Sequence, residues 1–360
     1  MDFGITIAPH IERWGQIQLA EHLDYDRAWV PDSQMIWSDY YAILAIAAVN
    51  TQKIHLGTGV SIAGTRIAPV TAHSIATINQ LAPGRTFLGL GTGHTAMRVM
   101  GQDPMPVRQF REYLRVVRAL LDGQAVDYTY GGNTREIEFL HKDRQYVNVN
   151  DRVPIYVAGN GPKACQAPGA YGDGWTTIGR DTAQLAAALN HIGEGAENVG
   201  RLITPDFHTT LFTCISVLKL GENLTSERII NEVGSWATPE LHFFYEIWNK
   251  SGRKDEMSPP HFINMWDEYL TRIDGFSLPE NARFRQIHDG HAIYLVPEER
   301  RFVTPGAIRA ICMVGSAEDI IDQVRTVESA GIKEINIMPA MDHAEAAIRD
   351  FADFVMPAFR

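Results

Sequence analysis

The sequence predicts an α/β protein built as a (β/α)8 barrel of the TIM type. Three observations predict it. Short apolar runs alternate with stretches of helical period from the first residues onward. Four such pairs fall within about 120 residues, a spacing of about 30 that suits parallel strands joined by crossover helices. Polar and glycine-rich residues follow the apolar runs: Asp32, then 59–66, 91–94, 159–162 and 176–179. Those are positions where a barrel binds its ligand, beyond the carboxyl ends of its strands. A doubly wound sheet is the structural alternative, and the count of eight runs favours closure.

Residues 3–8 are the first strand, and 11–23 follow with a helical stripe of Ile11, Trp14, Ile17, Ala20 and Leu23. His22 falls off the stripe. Residues 27–30 form strand two, stopped by Pro31, and 40–49 an apolar helix. Strand three runs from 53 to 60, a loop from 61 to 68, and Pro69 suits the first turn of a helix reaching Leu81. His73 lies inside that helix and reads as structural. Residues 86–90 are strand four, ending in Gly91-Thr92-Gly93-His94, and 107–121 a strongly periodic helix.

Residues 128–146 interrupt the alternation. Gly131-Gly132-Asn133 sits between alternating residues, so an inserted hairpin is expected over about 127–146. Residues 154–158 are strand five, broken by Gly159-Asn160-Gly161-Pro162. A short helix over 163–171 is limited by Pro168, and 175–178 give strand six. A helix over 182–197 precedes a long strand seven over 207–218.

From 221 to 305 the pattern changes to helices and loops, with helical segments at 225–236, 241–248 and 261–269 and a polar stretch at 249–260. The aromatics there, including Trp236, Phe243, Tyr245, Trp266 and Tyr269, read as core between helices or as a lid. Residues 317–330 resume a helix with Ser316 as N-cap and Asp319 in the first turn. Residues 334–338 are strand eight and 343–355 the last helix. The whole of 1–360 is expected to be one barrel domain with these two insertions.

Composition excludes several classes. The 360 residues carry a formal charge of −11, which argues against a nucleic-acid surface. Arg108, Arg111, Arg115 and Arg118 cluster on one helix and read as a solvated face. Cys165, Cys214 and Cys312 are far apart and odd in number, so neither a disulfide framework nor a zinc site is expected, in keeping with a reducing cytoplasm. No run of about 18 apolar residues suggests a membrane span. His288-Asp289-Gly290-His291 has neither an obvious fourth ligand nor a known metal spacing, so no metal is expected and a site-facing loop is the better reading.

The glycine turn at 159–162 carries the first chemical signal. Between a strand and a helix it leaves backbone N–H groups uncrowded, and the helix N-terminus adds positive potential, so it suits a phosphate. An ordinary βα turn is the plain alternative. His94, at a strand end, is suited to proton transfer near neutral pH. Asp32 is a ligand contact or a capping and ion-pairing group. Trp37 is an aromatic wall or plain core, and Arg66 an anion contact or an exposed cation.

The segments WVPDS at 29–33, IHLGTGV at 54–60, PGRTFLGLGTGH at 83–94, VPIYVAGNGP at 153–162 and YGDGW at 171–175, in this order and at these intervals, resemble the luciferase-like flavin oxidoreductases. They are most similar to the deazaflavin (F420) branch that includes methylene-tetrahydromethanopterin reductase and F420-dependent glucose-6-phosphate dehydrogenase. The resemblance covers about 1–220 and 305–360. It implies a barrel binding F420, with FMN the alternative, at its strand ends.

It further implies a non-proline cis peptide near Gly59-Val60. It places Asp32 near the ring and Trp37 beside it, and Gly91 and Gly93 where the cofactor approaches. Gly159, Asn160 and Gly161 match its phosphate turn. The cofactor-binding set is thus Asp32, Gly59, Val60, Ser61, Gly91, Gly93, Gly159, Asn160, Gly161 and Thr177; the catalytic set is His94, Trp37 and Asp32.

Two positions depart from the branch. Ser33 stands where its reductases often have His, and His94 where the sugar-phosphate dehydrogenase has Glu. That argues against glucose 6-phosphate as substrate. The implied activity is hydride transfer between F420 and a small organic substrate. An FMN-dependent monooxygenase using O2 and a non-catalytic flavin-binding barrel are the alternatives. A phosphate-binding lyase ranks last, because Lys163 begins a helix instead of ending a strand. A homodimer and a separate flavin or F420 reductase are the implied partners.

Overall fold

The computed structural model describes residues 1–254 and 258–360; part of the polar stretch at 249–260 therefore lies outside the described residues. The chain forms two compact units. The first comprises 1–98, 102–212 and 326–336, the second 99–101, 213–325 and 337–360.

The first unit is built around a barrel. Its strands are β1 (Asp2–Thr6), β2 (Arg27–Val30), β3 (His55–Ile62), β4 (Thr86–Gly91), β7 (Ile155–Ala158), β8 (Gly174–Thr177), β9 (His208–Thr213) and β12 (Glu334–Ile337). They close in the order β1-β2-β3-β4-β7-β8-β9-β12. This is the eight-stranded barrel that the sequence predicts. Between β4 and β7, β5 (Val126–Tyr130) and β6 (Asn133–Ile137) pair as an antiparallel hairpin outside the barrel. Gly131 and Gly132 turn it with positive φ.

The crossover helices form for local reasons. In α2 (Tyr40–Asn50) the Asp39 carboxylate accepts from the Ala42 N–H at 3.1 Å, a side-chain N-cap. In α3 (Ala68–Leu81) Pro69 occupies the first turn, where no N–H is needed. In α5 (Val107–Leu121) Phe110, Leu114, Val117 and Leu121 lie buried on one stripe. The helix α6 (Pro162–Tyr171) runs through Pro168 instead of stopping at it. Asp181 caps α7 (Thr182–Glu197) through the Gln184 N–H at 2.8 Å. Ser316 and Asp319 cap α13 (Ala317–Ser329) reciprocally.

The barrel interior is aromatic with one buried acid. Trp29 meets Phe87 at 4.5 Å and Tyr156 at 5.6 Å between ring centroids. Glu334, fully buried at the first position of β12, accepts from the Trp29 indole at 2.8 Å, from His208 at 2.6 Å and from the Thr210 hydroxyl at 2.9 Å. Arg27 lies 3.8 Å away. Burial pushes this carboxyl up, yet His208, Arg27 and Trp29 together hold it below the usual carboxylate range. Gly4 makes the room: a Cβ there would meet Glu334 Oε1 at 2.1 Å.

The second unit corrects one expectation. Strand seven does not run from 207 to 218. It breaks at Cys214, and β10 (Ile215–Val217) leaves the barrel to pair in parallel with β11 (Met313–Gly315), a strand not foreseen. The insertion holds α8 (Glu227–Ala237), α9 (Pro239–Lys250), α10 (Trp266–Asp274), a single turn α11 (Phe284–Ile287) and α12 (Pro305–Ile311). Tyr245, Trp266 and Tyr269 are core, whereas Phe243 is exposed; Tyr269 is ringed by Trp266, Phe302 and Tyr245 at centroid distances of 5.7, 5.6 and 6.4 Å. The last helix, α14 (Ala344–Phe354), completes this unit. No described helix is long and apolar enough to cross a membrane.

Candidate functional site

The ladder sets one rim of the first unit at a common level. Ile62 pairs with Gly91, Leu90 with Val157, and Ala158 with Thr176. Gly91, Ala158 and Thr176 therefore stand side by side near the carboxyl ends of β4, β7 and β8, with Thr177 the last residue of β8, at the ligand-binding end of a parallel barrel. The ladder slips between Thr58 and Ser61, and the peptide between Gly59 and Val60 is cis, where the resemblance places it.

Asp32 follows β2 and is 5% exposed. Its Oδ2 accepts from the Ile62 N–H at 3.1 Å and the Thr65 hydroxyl at 3.2 Å, with Arg66 at 3.6 Å. Burial raises its pKa, and the Ile62 N–H, Arg66 and Thr65 pull it back only in part. So Asp32 fastens the loop after β3. Arg66 is also held: it donates to Asp39 at 2.7 Å and to the Tyr40 hydroxyl at 3.0 Å. Tyr40 in turn shares a 2.6 Å hydrogen bond with Ser61, which is buried.

The glycines let neighbouring strands pack closer than a side chain would allow. A Cβ on Gly91 would come within 2.8 Å of the Val60 side chain, and one on Gly59 within 2.6 Å of Trp29 Cβ. Gly93 has φ +90° and opens the helix α4 (His94–Arg98), placing His94, exposed, at its first position. In the second turn Gly161, φ +82°, caps α6, and Asn160 and Gly161 are exposed. The Trp175 indole donates to Gly159 O at 2.8 Å and the Thr177 hydroxyl to Asn160 Oδ1 at 3.2 Å, which pin the turn to β8. Trp37 is half-buried, and its indole N–H is buried with no hydrogen-bond partner among the described residues.

A cavity of about 1130 Å³ opens between the loop after β3, α5 and α6. Thr65 and Arg66 line it, so the loop held by Asp32 forms part of its wall. Arg108, Arg111 and Lys163 add further cations. Four cationic side chains around one cavity favour an anionic ligand. Sequence reasoning took Arg108 and Arg111 as a solvated helix face and weighed Lys163 only as a Schiff base. No spacing signals their convergence, because it arises when α3, α5 and α6 line up around the barrel.

Hydrogen bonds and ion pairs thus join Asp32, Thr65, Arg66 and, through Tyr40, Ser61 into one set, and Asn160 and Thr177 into another. His94 opens α4 after β4, and Trp37 lies in the loop after β2. His73 is exposed near Phe139, as a helix-surface histidine. In the second unit His288 and His291 lie together with His242, a residue the sequence reading did not single out, while Asp289 accepts from the Tyr294 hydroxyl instead.

Residues 11–334 match the model of a family described as luciferase-like monooxygenase. A 5,10-methylenetetrahydromethanopterin reductase of Methanolobus tindarius is 32% identical over 224 residues, 61% of this chain and 66% of the relative. The chain thus spans just under two thirds of that protein's length. An F420-dependent hydroxymycolic acid dehydrogenase of Mycobacterium tuberculosis is 32% identical over 199 residues, 51% of this chain and 53% of the relative. The solved structure of the coenzyme F420-dependent tetrahydromethanopterin reductase of Methanopyrus kandleri superposes with a TM-score of 0.70, covering 100% of this chain and 99% of that one. At 21% identity that likeness is one of fold.

Proposed function

Because the chain belongs to the luciferase-like monooxygenase family, we propose that it is an F420-dependent oxidoreductase, moving a hydride between the deazaflavin and a small organic substrate. The observation that carries this reading is the cationic cavity joined, through Thr65 and Arg66, to the buried carboxylate of Asp32. It is supported by relatives whose names specify F420.

The residues present fit such a cofactor. Gly159, Asn160 and Gly161 offer N–H groups at the start of α6. Arg66, Arg108, Arg111 and Lys163 suit an anionic tail. The partnerless indole N–H of Trp37 is a donor for a ring or substrate oxygen. When bound, the deazaflavin supplies a ring carbon that takes up or gives back hydride.

The protein's own tasks are then positioning and proton transfer. Asp32 holds the β3–α3 loop against the ring. His94 gives or takes the proton at the substrate's oxygen or nitrogen, as an imidazole near neutral pH can. Trp37 walls the reacting centre from water. A separate enzyme recycles the freely exchanging cofactor.

A side-by-side titration of the purified protein with F420 and FMN tests this. We expect F420 to bind at least about 100-fold more tightly, a difference of about 2.7 kcal/mol. His94→Asn should keep that affinity and lose about 10²–10⁴ in kcat. Tighter binding of FMN would overturn the cofactor assignment in favour of an O2-using monooxygenase. Binding of neither would leave a barrel without this chemistry.

A further inference from the structure

Three imidazoles converge inside the second unit. His242 lies on α9 and is 1% exposed; the side chain of His288 is 6% exposed. One nitrogen from each of His242, His288 and His291 can be chosen so that all three lie within 4.8 Å of one another. Their ring centroids are 5.7–6.3 Å apart. The planes of His242 and His288 meet at 87° and those of His288 and His291 at 65°, an edge-on arrangement and not a stack.

The surroundings fix two of the rings. Glu299, itself 1% exposed, takes the Nε2 edge of His242 at 3.1 and 3.2 Å. Glu246, one helical turn beyond His242, takes Nε2 of His288 at 2.9 Å. A carboxylate accepts, so each of these Nε2 atoms carries the proton, and the lone pair of the neutral ring is on Nδ1. Nδ1 of His242 is buried with no hydrogen-bond partner among the described residues. Carboxylate, imidazole and then an open lone pair is the order in which proteins present histidine to a metal.

The turn that carries the other two histidines is equally determined. Gly290 has φ +71°, and a Cβ there would meet Tyr294 O at 2.5 Å. Ala292 adopts φ +54° and donates its N–H to Ser235 O at 3.1 Å, tying the turn to α8.

We propose that His242, His288 and His291 bind one divalent transition-metal ion, with three imidazoles as ligands and the fourth position taken by water or an exogenous ligand. All-nitrogen ligation suits zinc and its neighbours in the first transition row. Zinc–nitrogen bonds of about 2.0–2.1 Å in tetrahedral geometry set nitrogens about 3.3 Å apart, so the widest pair must close by about 1.5 Å. The bound ion clips α9 to the 288–291 turn across the aromatic core of this unit.

The test uses the full chain, stripped with a chelator and dialysed, then titrated with Zn²⁺ by calorimetry and with Co²⁺ by visible absorption. We expect one Zn²⁺ per chain at micromolar or tighter Kd, and a Co²⁺ spectrum of tetrahedral type. His291→Gln should weaken binding by at least about 100-fold, and Glu246→Gln by about 10–100-fold, the effect of removing a carboxylate behind a ligand. Far-UV circular dichroism checks folding; His288→Gln replaces any variant that fails it. Absence of stoichiometric binding by the wild type, or binding that both histidine variants retain unchanged, overturns the proposal. Neither F420 nor turnover enters the assay, so its result is independent of the oxidoreductase reading.

Discussion

At the scale of single residues, a functional and a structural role for Asp32 are separable by experiment. Its carboxylate is buried, and burial outweighs the Ile62 N–H, Arg66 and Thr65 in setting its pKa, which is raised. A carboxyl with a raised folded pKa is disfavoured as the anion in the fold. It therefore costs stability above that pKa, and the cost vanishes as pH falls through it. Asp32→Asn should raise stability near pH 7, with the gain shrinking on acidification. The amide oxygen can still accept from Ile62, and Arg66 keeps Asp39 and Tyr40. F420 affinity should fall in the same variant. Urea unfolding at two pH values and a cofactor titration read both; a destabilised variant with unchanged affinity would make Asp32 a loop fastener and nothing more. Asp32 was legible because it follows an apolar run. Thr65 read only as a loop residue and Arg66 as an anion contact or an exposed cation; their contact with Asp32 was hidden because it spans more than 30 positions of sequence.

At the scale of elements, the two glycine turns make different demands. Gly93 has positive φ, and a Cβ there would stand 2.3 Å from Ile62 Cγ2. Gly161 has positive φ but open space around it. Gly161→Ala should therefore cost only the backbone strain, about 1–3 kcal/mol. Gly93→Ala adds a clash with a strand residue and should cost clearly more, with denaturant midpoints ordered accordingly. Equal midpoints would mean that the β4 turn can yield, contrary to its packing.

The same scale explains what the sequence hid. Residues 207–218 read as one strand because both halves are buried and no turn residue marks Cys214. Only the partner, β11, reveals that the second half belongs elsewhere. His242 was silent for a similar reason: its companions lie more than 40 residues downstream, and helical spacing made it one polar residue in an aromatic helix. Where alternation, glycine and proline set local geometry, as in the β5–β6 hairpin and the strand-end turns, the sequence was sufficient.

At the scale of the whole molecule, closure of the barrel depends on its last strand. The count of apolar runs indicated eight strands, but nothing in the sequence indicated that the first residue of the eighth would be the polar centre of the interior. Glu334 gathers Trp29 from β2 and His208 and Thr210 from β9, residues separated by up to 305 positions. It sits at the amino-terminal end of its strand, the end of such barrels that serves stability and not chemistry. Glu334→Ala leaves the indole and the Thr210 hydroxyl without their acceptor and Arg27 without a buried counter-charge. The expected loss is about 3–5 kcal/mol, as when one partner of a buried pair is removed.

The sign of the pH dependence follows from the lowered folded pKa. Stabilisation by the ionised group is present above the ordinary carboxylate value of 4.5 and is lost as pH falls below it through the folded pKa. Glu334→Gln keeps the shape and an acceptor oxygen but not the charge. Its stability should therefore be lower than wild type at neutral pH and converge on it in acid. Chemical denaturation across that range measures the difference directly. Curves that stay parallel into acid would mean that the charge contributes nothing, and that hydrogen bonds and aromatic packing alone hold β12 between β1 and β9.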